Sequence, residues 1–102
     1  MTQISRRLSP QTLATLDVLM RAPEAWFYGL EIASATGLKS GSLYPILIRL
    51  DARGLVESRW LAPEKQGRPA RHAYRITNAG RSAFRTATTK GAAALMPKLE
   101  PS

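Results

Sequence analysis

Hydrophobic residues recur at helical spacing soon after the start of the chain. Ser9 and Pro10 predict where this first helix begins, because serine is a favourable N-cap and proline is tolerated at the first helical position. Pro23 prevents the helix from continuing. The apolar stripe that must pack against the rest of the protein consists of Leu13, Leu16, Leu19 and Met20.

A short helical pattern and a longer one follow. The short helix ends at Gly37, since glycine readily adopts the left-handed cap conformation, and Leu38 is expected to fill the core from the next turn. The longer helix begins with Ser40 or Ser42 as its cap and ends at Gly54. The positions that mark the short helix are Leu30, Ile32, Ala33 and Ala35.

This third helix has two faces of different character. Pro45 is expected within its first turns, where a missing backbone donor costs least. The face predicted to be buried holds Leu43, Ile46, Leu47 and Leu50. The outer face, which is available to a partner, holds Tyr44, Pro45, Ile48, Arg49 and Ala52.

Two later segments, residues 55–61 and 71–76, alternate in polarity as half-buried strands do. A loop over residues 63–69 joins them into a hairpin, and we call this loop the wing tip. The aromatic residues 26–28 are expected to form a short strand or an anchored turn that belongs to the core. The predicted inner faces of the two strands hold Val56, Ser58 and Trp60, and His72, Tyr74 and Ile76.

A final helix is predicted over residues 78–96, with Thr77 as its N-cap. Gly80 and Gly91 weaken this prediction, because glycine is a poor helix former. The residues expected to face inward are Ala79, Ala83, Phe84, Ala87 and Leu95.

The chain of 102 residues is long enough for one hydrophobic core and too short for two. The order of elements predicts a mainly α fold with a small β-hairpin, namely a winged helix-turn-helix with an added C-terminal helix. Residues 1–8 are then a flexible arm, 9–77 the winged helix-turn-helix, 78–96 the C-terminal helix and 97–102 a flexible tail.

The charge of the chain points to a polyanionic partner. Its formal net charge is +8 and its pI about 10.9, and the basic excess is concentrated between Lys39 and Arg81. A solvated face that keeps the protein soluble is the alternative reading of this charge.

Other kinds of chemistry find little support. The chain lacks cysteine and has one histidine, His72, which we interpret as structural or phosphate-contacting rather than catalytic. We expect no enzyme activity, cofactor or metal site. Apolar runs are interrupted well before the ~20 residues that span a bilayer. These features favour a soluble, cytoplasmic protein.

In a helix-turn-helix the second helix enters the major groove, because that groove is wide enough to admit it. Ser40 and Ser42 can donate to phosphates or only cap the helix. Arg49 can pair with guanine or bridge phosphates, and Ile48 can touch a thymine methyl group or tuck against a neighbour. The residues expected at the DNA are Lys39, Ser40, Ser42, Tyr44, Pro45, Ile48 and Arg49.

The wing tip is flexible and cationic, and Gly67 permits a tight bend there. Arg68 is the residue that we expect to enter the minor groove, with Lys65 and Arg71 on phosphates. An exposed loop made soluble by its charge is the alternative. The wing residues assigned to DNA are Lys65, Gln66, Gly67, Arg68 and Arg71.

These motifs together resemble the PadR family of winged-helix transcriptional regulators. The resemblance extends from about Leu8 to Phe84. The residues that carry it are Tyr28 to Ile32, Leu43-Tyr44-Pro45, Arg49-Leu50, Gly54-Leu55, Trp60, Gly67-Arg68-Pro69, Tyr74 to Thr77 and Gly80-Arg81.

The resemblance implies a homodimer that binds an inverted-repeat operator in double-stranded DNA and usually represses. The chain departs from the family pattern at Ile48, where family members often have a polar residue. Some compact relatives hold planar drugs between aromatic residues of the C-terminal helices, but this helix has Phe84 and no tryptophan, so any effector stays unknown. The residues expected at the dimer interface are Leu13, Ala83, Phe84, Ala87 and Leu95.

Two other functions compete with DNA binding. One is a winged-helix module that binds another protein without reading DNA, with its charge serving as a solvated face. The other is RNA binding, which competition between duplex DNA and structured RNA would reveal.

Overall fold

The computed structural model of the protein describes residues 8–63 and 65–95, with side chains in the last helix as far as Thr89. Four helices and three short strands follow one another along these residues. They are α1 (Pro10–Met20), β1 (Phe27–Tyr28), α2 (Gly29–Thr36), α3 (Ser40–Ala52), β2 (Val56–Leu61), β3 (Arg71–Ile76) and α4 (Asn78–Leu95).

The start of α1 confirms the predicted cap. The backbone N–H of Thr12 donates a hydrogen bond to Ser9 Oγ at 3.1 Å, and Pro10 lies in the first turn. Leu8, which was predicted to belong to the flexible arm, packs against the core, so the packed region begins one residue earlier than predicted. The rest of the arm and the predicted tail lie outside the described residues.

The core is formed where α1, α2 and α3 meet one face of the sheet. The apolar face predicted for α3 is confirmed there, and so are Leu16, Leu19 and Met20 of the α1 stripe, while Leu13 is half-buried outside the core. Leu38 packs against the core from its turn. Side chains from all these elements are almost completely excluded from solvent. The largest are Leu16, Leu19, Ile32, Leu43, Leu47, Leu50, Val56 and Ile76.

One of the residues that mark α2 is exposed: Leu30 lies two residues from the buried Ile32, and such neighbours do not share a helix face. Two predictions about α3 are wrong. The N-cap of α3 is Lys39, without a side-chain hydrogen bond, so Ser40 and Ser42 lie inside the first turn of the helix. Pro45 also lies deeper in α3 than predicted, at the sixth helical residue.

The sheet has three antiparallel strands rather than the two of a simple hairpin, in the order β1-β3-β2. Phe27 pairs with Tyr74, which ties the aromatic segment after α1 to the hairpin. Val56 pairs with Ile76 at the core end of the hairpin, and Trp60 pairs with His72 near the wing tip. Trp60 is exposed, contrary to prediction, and borders an open cavity beside Tyr44 and Ile48 of α3.

The last helix is fixed to the sheet at its first turn. The Gly80 N–H donates to Thr77 Oγ1 at 3.0 Å, which confirms the predicted cap, and Ala79 is exposed rather than inward. A Cβ at Gly80 would collide with the carbonyl oxygen of Leu55. The glycine that weakens the helix by propensity is therefore required by close packing. Within the described part of the chain, every helix is too short or too polar to cross a membrane.

Candidate nucleic-acid interface

The outer face of α3 is fully separated from the core. Four leucine and isoleucine positions of this helix are buried, which leaves Tyr44, Pro45, Ile48 and Arg49 exposed, as the helical period predicts. Ser40, Ser42 and Lys39 are exposed at the start of the helix.

Tyr44 is positioned by a glycine on the neighbouring helix. Its hydroxyl end lies so close to Gly29 that a Cβ at that position would collide with it. Gly29 is buried at the start of α2, where the Tyr28 backbone N–H donates to Glu31 Oε1 at 2.8 Å. The phenol ring of Tyr44 thus packs on the protein and leaves one edge of the side chain exposed.

The wing tip is an exposed cationic turn. The Arg68 backbone N–H donates to the Lys65 carbonyl oxygen at 3.2 Å, and Gly67 has φ 89°, a conformation that favours glycine. Gln66 lies between them and is also exposed. The three charged or polar side chains are therefore free of the core and available to a ligand.

Two open cavities connect the wing tip to α3. The first, of about 550 Å³, is bordered by Lys65, Arg68 and Arg71 together with Leu30. The second, of about 500 Å³, is bordered by Arg71 and Leu30 again, and by Tyr44, Ile48 and Trp60. Because Arg71 and Leu30 border both, the wing tip forms one continuous surface with the part of the outer face of α3 that holds Tyr44 and Ile48. Among the described residues, no carboxylate lines either cavity.

Aromatic side chains stack along the edge of the second cavity. The rings of Trp60 and His72 are parallel within 7° with centroids 4.5 Å apart, and Tyr74 follows at 4.8 Å from His72. The Tyr74 hydroxyl is 3.0 Å from His72 Nδ1. Burial raises the pKa of the Tyr74 hydroxyl, and the nearby Tyr44 and Asp51 add to the increase. These contacts agree with the interpretation of His72 as a structural residue.

Arg71 makes an aromatic contact of its own. Its guanidinium carbon lies 3.8 Å from the centroid of the Tyr28 ring, which is a cation–π arrangement. This contact restrains the arginine at the junction of the two cavities without neutralising its charge.

Arg49 does not join this surface. It borders a separate cavity of about 140 Å³ beside Arg53, near Ser9 and Thr12 of α1. The two long edges of α3 thus carry cations of different origin: Arg49 and Arg53 on one edge and Arg71 of the wing on the other.

On the opposite face of the sheet, charged and aromatic side chains contact one another. The guanidinium groups of Arg59 and Arg75 lie 4.6 Å and 4.5 Å from the centre of the Trp26 ring. Arg75 also forms an ion pair with Glu57 at 3.0 Å. This second group of aromatic and cationic residues is satisfied within the protein.

The residues expected at a dimer interface lie on α1 and α4. Leu13, Ala83, Phe84 and Ala87 are each half-buried, and Phe84 packs against the core. The side chain of Leu95 lies outside the described residues.

Sequence reasoning missed two residues of the surface, Leu30 and Trp60. Trp60 was assigned to the inner face of its strand and Leu30 was used only to mark α2, and both border the 500 Å³ cavity. The resemblance included Trp60 in its motifs, and that was the one signal for it in the sequence.

Comparison with known proteins agrees with this architecture. The model of the transcriptional regulator PadR-like family matches residues 18–86, which is more than half of the chain. No curated protein sequence matches the chain significantly.

Solved structures share the fold. The smu.1704 protein from Streptococcus mutans is 27% identical with a TM-score of 0.66, and the match covers 84% of this chain and 82% of that one. A PadR family transcription regulator from Clostridium difficile is 24% identical with a TM-score of 0.62, covering 85% and 92%. The transcriptional repressor CouR, bound to a 23-mer DNA duplex, is 24% identical with a TM-score of 0.70, covering 91% and 64%.

Proposed function

Because the chain belongs to the PadR-like family of transcriptional regulators, we propose that it acts by binding double-stranded DNA in a sequence-specific manner. In this proposal α3 lies in the major groove and the wing tip follows the adjacent backbone or enters the minor groove. The proposed contacts of α3 are Lys39, Ser40, Ser42, Tyr44, Pro45, Ile48 and Arg49. Those of the wing are Lys65, Gln66, Gly67, Arg68 and Arg71.

One observation carries the proposal. Arg71 borders both cavities, so the cations of the wing tip and the outer face of α3 form one surface, with no carboxylate lining it among the described residues. A duplex carries dense negative charge along both strands, and a surface of this kind neutralises it. The repressor CouR, which has the same fold, is bound to a duplex, so the fold accommodates one.

The cations on the two edges of α3 suit the geometry of a major groove. A helix in this groove has one phosphate backbone on each side. Arg71 lies on one side of α3, and Arg49 and Arg53 lie on the other. We therefore assign phosphate contacts to both edges, with Arg49 also near enough to the outer face to pair with a guanine.

We further propose a homodimer that represses from an inverted-repeat operator. The half-buried side chains of Leu13, Ala83, Phe84 and Ala87 support an interface along α1 and α4, since association would bury the remaining apolar area. Leu95 belongs to the same proposed interface. A two-fold axis there would place two copies of α3 on two half-sites.

Selection of bound sequences from random duplex DNA at physiological salt tests the proposal. We expect enriched sequences with two inverted copies of one motif, about one helical turn apart, and two chains on each duplex by sedimentation. Selection without any enriched sequence would overturn sequence-specific DNA binding. One motif with a single bound chain would retain the DNA contact and overturn the dimer.

The repressor part is tested separately. Expression of a reporter from a promoter that overlaps the selected operator should fall when the chain is supplied. An increase in expression would overturn repression and leave DNA binding intact.

A protein partner is the second candidate, and the exposed apolar side chains beside Arg71 favour it. It predicts that the chain binds duplexes of different sequence equally well. A basic chain binds any duplex more weakly as salt rises, so salt dependence alone does not separate the two candidates. The ratio of the affinities for a selected duplex and for an unrelated duplex, measured at the same salt concentration, separates them.

A further inference from the structure

The exposed large hydrophobic side chains of the described residues all meet at one place. Leu30 is 67% exposed, Tyr44 37%, Ile48 66% and Trp60 67%, and all four border the 500 Å³ cavity between α3 and the wing. They come from α2, α3 and β2, so the fold and not a single sequence segment assembles them. An apolar patch with a charged rim marks an interaction site rather than a solvated face.

The residues around the patch indicate which kind of partner covers it. Arg71 lies at its rim, Lys65 and Arg68 border the adjoining cavity, and no described carboxylate lines either one. The cations at this rim favour a covering partner that combines negative charge with apolar groups. Duplex DNA does so, because its phosphates flank the sugar rings and the C5-methyl groups of its thymines, which project into the major groove.

Ile48 occupies a different place in the patch from Leu30 and Trp60. It lies in the middle of α3, on the same side as Tyr44 one turn earlier, where a helix in the major groove faces base edges. Isoleucine has no donor or acceptor for a base edge, so a methyl group is what it recognises. Trp60 and Leu30 lie beside α3, where the sugar-phosphate strand would run.

We propose that Ile48 is a specificity-determining residue that contacts the C5-methyl group of a pyrimidine, while Trp60 and Leu30 cover the adjacent deoxyribose. This inference rests on the proposed DNA-binding function and names what that surface reads. The chain would then require thymine, or an equivalent 5-methylcytosine, at one position of each half-site.

Replacing thymine by deoxyuridine in a selected duplex tests the inference, because this change removes only the methyl group. Affinity should fall about fourfold for each essential methyl group, since burying one carbon is worth about 0.8 kcal/mol and 1.4 kcal/mol corresponds to tenfold. The effect should be confined to one position in each half-site. Placing 5-methylcytosine with its paired guanine there should bind more tightly than unmethylated cytosine.

Variants of the protein show which residue carries the effect. Ile48→Ser should bind the thymine and deoxyuridine duplexes equally. Because Ile48 is exposed, the variant should keep the fold, and an unchanged midpoint of urea unfolding would show this. Ser34→Ala, which changes an exposed residue of α2 that borders neither cavity, should keep the fourfold preference.

The outcomes separate this inference from the proposed function. Equal binding of both duplexes by the unaltered chain, or an unchanged preference in Ile48→Ser, would overturn the methyl contact alone. Failure to bind any duplex would overturn the proposed function and this inference together.

Discussion

Two tryptophans lie on opposite faces of the same small sheet and have very different surroundings. Trp26 is half-buried beneath Arg59 and Arg75, and Arg75 is paired with Glu57. Trp60 is exposed, stacks on His72, and borders a cavity whose described lining includes Arg71 and no carboxylate. One face satisfies its aromatic and charged groups internally, whereas the other leaves them available to a partner.

The comparison shows that basic charge by itself does not identify a binding surface. Two arginines contact Trp26, and Arg68 and Arg71 border the cavities next to Trp60, so the overall charge of +8 does not distinguish the two regions. The difference lies in the carboxylate, because Arg75 is paired with Glu57 and has already lost part of its freedom to bind phosphate. Arg71 contacts only the Tyr28 ring, which leaves its charge unneutralised.

The largest expected effect comes from removing arginines from each face in turn. Arg68→Ala with Arg71→Ala should lower affinity for a selected duplex about a hundredfold, since each charge-assisted hydrogen bond is worth about 1.5–3 kcal/mol. The slope of log affinity against log salt should also fall by about 2. Titrations of duplex binding at several salt concentrations measure both quantities.

The matched control is Arg59→Ala with Arg75→Ala, which removes the same net charge from the Trp26 face. Its affinity and salt slope should stay close to those of the unaltered chain. If both double variants lose affinity equally, diffuse attraction explains binding and the distinction between the faces is wrong.

The next effect is on stability, and here the variant near Trp26 should lose more than the variant near Trp60. Trp26→Ala should lower the free energy of unfolding by about 2–3 kcal/mol, because it removes two cation–π contacts of about 0.5–1 kcal/mol each together with ring burial. Trp60→Ala should cost about 1 kcal/mol or less, the value of one aromatic stack. Urea unfolding of the two variants compares these energies.

A loss for Trp60→Ala as large as that for Trp26→Ala would contradict the view that the Trp60 face is open. In that case the indole would be a structural element of the wing.

The smallest effect concerns Tyr74, which lies where the core meets the open end of the sheet. Because burial raises the pKa of its hydroxyl in the folded state, its contribution to stability is complete below the unfolded value of 10.0. The contribution is lost as pH rises through the higher folded pKa. One such group changes the free energy of unfolding by at most about 1.4 kcal/mol per pH unit.

Tyr74→Phe isolates this contribution. Between pH 9 and pH 11 the unaltered chain should lose more stability than the variant, as measured by urea unfolding at each pH. Equal losses would assign the alkaline sensitivity to other groups, such as the more exposed tyrosines.

Local patterns predicted most of the elements. The cap at Ser9, the buried face of α3 and the cap at Thr77 all follow from contacts within a few residues, and the structure confirms each one. The fold class is confirmed as well, with β1 as a third strand of the sheet. The DNA contacts and the dimer residues remain predictions.

One wrong prediction shows the limit of such patterns. Trp60 has the spacing of an inward residue, yet it is exposed and borders an open cavity beside α3. Periodicity shows which side of an element a residue occupies, but it does not show whether another element covers that side.

The sequence by itself determined the helices, the hairpin, the basic balance and the candidate residues, because spacing, capping and charge are properties of neighbouring positions. Only the tertiary structure decided that Leu30, Ile48 and Trp60 meet beside Arg71, and that Arg49 lies on the other edge of α3. It also decided that Gly80 is required by the Leu55 carbonyl. These relations join residues far apart in the chain, and packing alone brings them together.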